Sequence, residues 1–261
     1  MRFGNITSIV TALVIVVTFG IGGPALADNF FKQVVHTGAF EMMGQTTPET
    51  NDTTTMWLSE DKAYSSMGDT AAVIFYLEKG EICFINHQKK EYTTMPMDLG
   101  EIIDEVLEEE DEEARQMAEL VKGMAGAIMG SIEISVTPTE ETRKIGEWDC
   151  KKYNVDLSMA MMKSKQELWA TEDIQVDYTM FRAVSGGMMA QMPGFDKMLE
   201  EMKQIKGLPV KTVATASIMG SEAVTTTELI EYTEKDAPDG IFDIPEGYKK
   251  VEMGMGMDDL D

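Results

Sequence analysis

Apolar residues recur along this chain at two different spacings. In the second half they alternate cleanly. Ile132, Ile134 and Val136 share a face, as do Tyr153, Val155, Leu157 and Met159, and then Ile174, Val176, Tyr178 and Met180. A period of two with polar residues between predicts antiparallel strands with one wet face. The first half is less regular. Phe30–Met43 reads as a strand that puts Val34, His36, Gly38 and Phe40 on one face, although its alternation is blurred. A polar loop around Pro48 separates it from a strand at Thr53–Leu58. Ala71–Leu77 and Ile82–Ile85 flank the turn Glu78-Lys79-Gly80-Glu81. That hairpin is too continuously apolar for one face to lie in water, so both faces should be covered or one should line a cavity. Tyr92–Met95 follows and is stopped by Pro96.

Two stretches carry helical spacing instead. After Asp98 as a candidate N-cap come Leu99, Ile102, Ile103, Val106 and Leu107, and the stripe resumes at Ala114, Met117, Leu120, Val121 and Met124. This predicts one bent helix or two consecutive ones, ending near Gly130. Phe195, Met198, Leu199, Met202 and Ile205 form a second stripe, closed by Gly207 and Pro209. A hairpin then runs out through Val210–Ala214 and back through Ala223–Tyr232. It leads to an apolar plug, Gly240–Tyr248, fixed by Pro245 and Gly247. Together these elements predict an α+β fold, an antiparallel sheet wrapped around helices near 98–128 and 195–206.

The N-terminus has a different character. Arg2, an apolar run from Ile9 to Ile21 and the small residues Ala25 and Ala27 match a secretory signal cleaved between Ala27 and Asp28. The apolar run is short for a membrane span, so the mature protein is expected to be periplasmic or secreted rather than integral to a membrane. The expected organisation is a signal at 1–27, a single domain over 28–250 and a disordered acidic Met/Gly tail at 251–261. The chain of 261 residues carries a net charge of −24, and losing the signal removes one Arg and no acid, giving −25. Such a charge opposes nucleic acid and anionic lipid surfaces as partners. Cys83 and Cys150 are the only cysteines, and in an exported chain they could close one disulfide or remain two buried thiols.

The search for chemistry returns little. There is no nucleophile elbow, phosphate-binding glycine loop or zinc-protease helix. His36 and His87 are the only histidines, and the plain reading of each is structural or surface. The acid run Glu108–Glu113 lacks calcium-loop spacing and reads as a solvated face. Nothing calls for an enzyme or a cofactor. The unusual residue is methionine, 23 in all. Met is a flexible filler suited to a core or to a groove that accepts varied apolar ligands. Its thioether also binds Cu(I), and Met253, Met255 and Met257 form the most exposed candidate trio.

Trp148-Asp149-Cys150-Lys151-Lys152-Tyr153, Leu168–Asp173 and the ending Phe242-Asp243-Ile244-Pro245-Glu246-Gly247-Tyr248 resemble an exported bacterial family of unknown function. That family goes with the LolA/LolB-like lipoprotein-carrier group. The resemblance implies a curved, unclosed antiparallel half-barrel with helices covering its concave face, and a hollow that holds acyl chains. The function expected on this basis is non-enzymatic binding of an apolar ligand, a lipid or a lipidated chain. The expected pocket walls are Trp57, Phe75, Phe84, Met117, Met124, Trp169, Met180, Met198 and Met202. The alternatives are a Cu(I)-binding envelope protein and a structural envelope protein with no small ligand.

Overall fold

The computed structural model describes residues 28–42, 45–97, 132–159, 162–174, 195–218 and 221–251. Within them the chain is almost wholly β. The strands are β1 (Asn29–Thr37), β2 (Phe40–Met42), β3 (Gln45–Thr47), β4 (Thr50–Leu58), β5 (Lys62–Met67), β6 (Ala71–Tyr76), β7 (Glu81–Asn86) and β8 (Glu91–Pro96). They continue with β9 (Ile132–Ile145), β10 (Trp148–Met159), β11 (Met162–Thr171), β12 (Leu208–Ile218), β13 (Ser221–Glu234) and β14 (Lys249–Lys250). One helix, α1 (Phe195–Met202), stands among the described residues.

Twelve strands form one open sheet in the order β14-β8-β7-β6-β5-β4-β1-β13-β12-β11-β10-β9, while β2 and β3 make a separate small hairpin. The topology is simple. Two five-stranded meanders, β4–β8 and β9–β13, lie on either side of β1. β1 pairs antiparallel with β4 on one side and β13 on the other. β14 alone runs parallel to its neighbour, β8.

The expectation of an α+β fold with helices covering a concave face is therefore corrected. Among the described residues the architecture is a broad unclosed sheet with a single eight-residue helix. The predicted helix over 98–128 lies outside the described residues, as do the strand residues 176–180, the signal at 1–27 and the tail from 252 onward. Within the described part, strand pairing rather than helix packing satisfies most of the backbone, because most of these segments alternate or are β-branched.

One face of the sheet carries buried residues on every strand from β9 to β7. Register places Phe31 opposite Met56 and Tyr232, Leu58 opposite Ala63, and Ala63 opposite Phe75. On the other wing Leu168 faces Tyr153 and Thr212, and Val155 faces Val136. Phe31, Met56, Leu58, Ala63, Val136, Tyr153, Val155, Leu168, Val210 and Leu229 belong to one continuous apolar core. α1 joins that core through Met198, Leu199, Met202 and Ile205, the helical stripe read from the sequence. Burying four such side chains contributes about 6–12 kcal/mol as an upper bound. The helix also closes part of the sheet edge. The Val136 N–H, on edge strand β9, donates to Glu201 Oε2 at 3.0 Å. The Lys206 N–H donates to the Tyr153 hydroxyl at 3.2 Å.

Gly207 makes this return possible. It sits at φ +81°, and a Cβ there would lie 1.8 Å from the Thr171 carbonyl oxygen. Only glycine allows the chain to leave the helix and pass against the end of β11.

The β6–β7 hairpin is covered on both faces along most of its length, as its composition predicted. On one face Ala72, Ile74, Cys83 and Ile85 are buried with Tyr64, Tyr76 and Tyr92. On the other, Val73, Ile82 and Met97 are buried with Phe75, Leu77 and Met95. The first of these faces is roofed by the C-terminal plug, whose Ile244 and Tyr248 pack onto it. The Tyr76 hydroxyl donates to the Phe242 carbonyl at 2.9 Å, and His87 Nδ1 shares a 2.9 Å hydrogen bond with the Tyr248 hydroxyl. The plug ends as β14, extending the sheet beyond β8.

Candidate functional site

The candidate site is the buried face of the twelve-stranded sheet, and it has two chemically different halves. The half nearest α1 is large and apolar: Phe31, Met56, Leu58, Leu168, Val210, Leu229 and Tyr153 with the helix side chains above. The same face continues past Val73 and Ile82 to Met95 and Met97. Met56, Met97, Met198 and Met202 lie along it, and thioether side chains repack readily.

The other half is small and polar although buried. Gln33, Thr37, Thr54, Ser65, Ser164, Gln166, Thr212, Thr225 and Thr227 are each less than 9% exposed. They alternate in register with the apolar residues of the same face, and two cross-strand rows gather most of them. The first row runs Leu168, Thr212, Thr227, Val35, Asp52 across β11, β12, β13, β1 and β4. The second, two residues along, runs Gln166, Ala214, Thr225, Thr37, Thr50 across the same strands. The Thr37 and Thr225 hydroxyls share a hydrogen bond of 3.3 Å, and Gln166 Nε2 donates to Ser164 Oγ at 3.4 Å. Thr50 Oγ1, Gln166 Oε1, Thr212 Oγ1 and Thr227 Oγ1 are buried with no hydrogen-bond partner.

The expected pocket walls divide between the faces. Phe75 lies on the buried face, in contact with both of its apolar clusters. Phe84 shares that face opposite Val73 but is 38% exposed. Met198 and Met202 are in the core. Trp57 lies on the opposite face of its strand from Met56 and Leu58, whereas Trp169 is buried in the same apolar core as Leu168, Met198 and Met202. Trp57 alternates with Met56 and Leu58, stacks on Phe30 with centroids 4.8 Å apart, and has Lys235 Nζ 5.3 Å from its ring. Trp169 alternates with Leu168 and lies under the Arg143 guanidinium at 4.3 Å. Both are strand-end tryptophans with a cation against the ring. Met117, Met124 and Met180 lie outside the described residues, as do Met253, Met255 and Met257.

Sequence reasoning missed the Thr/Gln rows. Nor did the blurred alternation of β1 show which face is buried: Phe31, Gln33, Val35 and Thr37 are, while Val34 and His36 are half-buried on the other side. The available signal was threonine at alternate positions in segments bound to pair, Thr212 and Thr225–Thr227.

The proposed Cys83–Cys150 disulfide is also corrected. Both thiols are free and buried. Seven strands, and so eight strand spacings, separate β7 from β10, about 38 Å measured along the sheet at ~4.8 Å per spacing, against the roughly 6 Å that a disulfide spans. Burial pushes the Cys150 thiol up to about 11, helped by Asp173 and Asp149, and burial also raises Cys83. Neither is a poised nucleophile. Each histidine is engaged in a local hydrogen bond, His36 with Asn51 Oδ1 at 2.9 Å and His87 with Tyr248. Among the described residues no three His, Cys, Asp or Glu side chains gather as a metal site. A depression of about 580 Å³ opens on β9–β11, lined by Arg143, Lys144 and Lys151 but equally by Asp149, Glu172 and Asp173, so it has no net preference for one charge. No helix among the described residues is long and apolar enough to cross a membrane, a statement that leaves β-barrels aside.

The fold and face define a class, a broad open antiparallel sheet with one buried, partly polar face. Residues 133–248 match the model of a family described as a domain of unknown function, DUF4412. That segment takes in β9 to β13, α1 and the plug. No curated protein matches the chain. Two solved structures are similar at a distance. One is a DUF1329 family protein from Desulfovibrio piger ATCC 29098, 8% identical over 90% of this chain and 95% of that one, with a TM-score of 0.30. The other, from Vibrio parahaemolyticus, is described as an outer membrane lipoprotein-sorting protein domain. It is 7% identical over 90% and 95% of the two chains, with a TM-score of 0.31. TM-scores this low fix neither fold nor function for this chain.

Proposed function

We propose that this protein is a non-enzymatic binder of an apolar ligand, a lipid or a lipidated chain, exported to the cell envelope by the signal at 1–27. The observation that supports it is the single buried face of an open sheet. That face carries apolar side chains from Ile134 on β9 to Met95 on β8, interrupted by the Thr/Gln rows, and is lined at intervals by adaptable methionines. The non-enzymatic part rests on the chemistry already described, in which histidines and thiols are buried or engaged in structural contacts.

Organic extraction of natively purified protein followed by mass spectrometry tests this reading. Stoichiometric lipid is the expected result. Protein that arrives empty and also takes up no fluorescent fatty-acid probe would overturn it.

A further inference from the structure

Resting on that reading, we propose that the ligand is an amphiphile with an uncharged, hydrogen-bonding head group, and that the Thr/Gln rows between β11 and β4 hold that head. Gln166, Thr212 and Thr227 are 7%, 3% and 5% exposed. Each has a polar atom with no partner in the chain. Buried polar groups in folded proteins are overwhelmingly partnered, so three on one face of three adjacent strands call for a common explanation.

The geometry specifies the chemistry. Thr212 and Thr227 are directly opposed on β12 and β13, so their Cβ atoms stand about 5 Å apart and a single carbonyl oxygen can accept from both hydroxyls. Gln166 lies one strand over and two residues along, a diagonal of roughly 7–8 Å from Thr212. Its free Oε1 only accepts, so the ligand must offer an O–H or N–H there. A carbonyl with a hydroxyl or amide N–H a few bonds away describes a monoacylglycerol or a fatty amide. Neighbouring Ala214, Ala216 and Ala223 are small and buried, which leaves the space above these strands to something other than their side chains. Asp52 is the only ionisable residue in the two rows and is exposed at the β4 end. A charged head would meet no counter-ion in the buried part, and an anion would also meet Asp52. The hydrocarbon then extends along the same face onto Leu168, Val210, Leu229 and Phe31.

The test displaces a fluorescent apolar probe, N-phenyl-1-naphthylamine, from the purified protein. The competitors are monoolein, oleamide, oleate, oleylamine and 1-octadecene, each delivered from cyclodextrin. Monoolein and oleamide should compete about tenfold or more better than octadecene, and better than either charged amphiphile. The T212V/T227V/Q166L variant should lose that preference while keeping octadecene and probe binding. Thr226→Val, on the opposite face, should change nothing. Valine for an unpartnered threonine removes no bond within the protein, and the wild-type ranking decides the matter even if the triple variant folds poorly. Octadecene bound as well as monoolein, or oleate or oleylamine bound best, would overturn this inference and leave the binder standing. No displacement or uptake of any competitor or probe would overturn both.

Discussion

Replacing Gly207 with alanine should unfold the junction between α1 and β12 at a cost readable from the structure. The added methyl would sit 1.8 Å from the Thr171 carbonyl oxygen, 2.5 Å from its carbon and 2.9 Å from Glu172 Cα. All three are backbone atoms, so no side chain can swing away. Relief requires β11 or the α1–β12 link to move by more than about 1 Å, which overpacked sites resist at roughly 1–3 kcal/mol. The backbone at φ +81° adds about 1–2 kcal/mol for any residue with a Cβ. The sum is about 2–5 kcal/mol, or roughly 4–20 °C in Tm for a domain of this size. Gly80 provides the control. It has φ +63° with nothing within 4 Å of a Cβ, so Gly80→Ala should show the backbone cost alone. Urea titrations followed by tryptophan fluorescence measure both variants, with Trp148 and Trp169 reporting on this wing of the sheet. If Gly207→Ala proved no more destabilising than Gly80→Ala, the packing of the helix return against Thr171 would be refuted.

Three further expectations follow from buried and half-buried polar groups. Cys83 and Cys150 should resist a thiol reagent at pH 8 in the native protein and both label in urea without reductant; prompt native labelling, or no labelling in urea, would contradict the free buried thiols. The same burial has a pH consequence, because the folded pKa lies above the unfolded one for Cys150 (about 11 against 9.0), Tyr76 (about 12 against 10.0) and Tyr232 (raised). The unfolded chain therefore loses these protons first. Stability should be intact below about pH 9 and fall as pH rises toward 12, and an unchanged urea midpoint at pH 8, 9.5 and 11 would count against it. Tyr76→Phe removes the donor to the Phe242 carbonyl and should cost about 1–2 kcal/mol while speeding proteolysis within 236–251. Unaltered cleavage there would show that the plug does not depend on this bond.

How far the sequence could be read depends on which residues face the core. Strands β9 to β11 were legible because Ile134, Val136, Val155 and Leu168 alternate with solvated Glu, Ser, Asn and Lys. The α1 stripe and its glycine stop were legible for the same reason, since burial there coincides with hydrophobicity. The buried face of β1 was not legible because the rule inverts on it. Gln33 and Thr37 point into the protein while Val34 points away, and β12 and β13 repeat this with Thr212 and Thr225 inside and Val213 and Val224 outside. A hydropathy pattern cannot reveal a buried polar row. The two tryptophans are expected in the pocket because they sit on apolar strands; alternation with Leu58 sets Trp57 on the other face beside Lys235, while Trp169 joins the core with Arg143 against its ring. A count of two cysteines left a disulfide and two buried thiols equally open, because count carries no information about sheet order.

The placement of β1 also bears on how the molecule is made. β1 is a central strand, yet Asn29 aligns with Glu234 on β13, so one of its two ladders joins residues separated by nearly the whole chain. A chain emerging from the ribosome presents β1 first and its second partner almost last. Until then one edge of β1 is open, with Phe31 and Val35 unburied. Sheets closed by such distant pairings assemble slowly, and their waiting edges invite pairing with other chains. On the proposed export route, in which the chain crosses a membrane unfolded, the same delay is useful, because the two meanders cannot be joined through β1 before synthesis has reached β13.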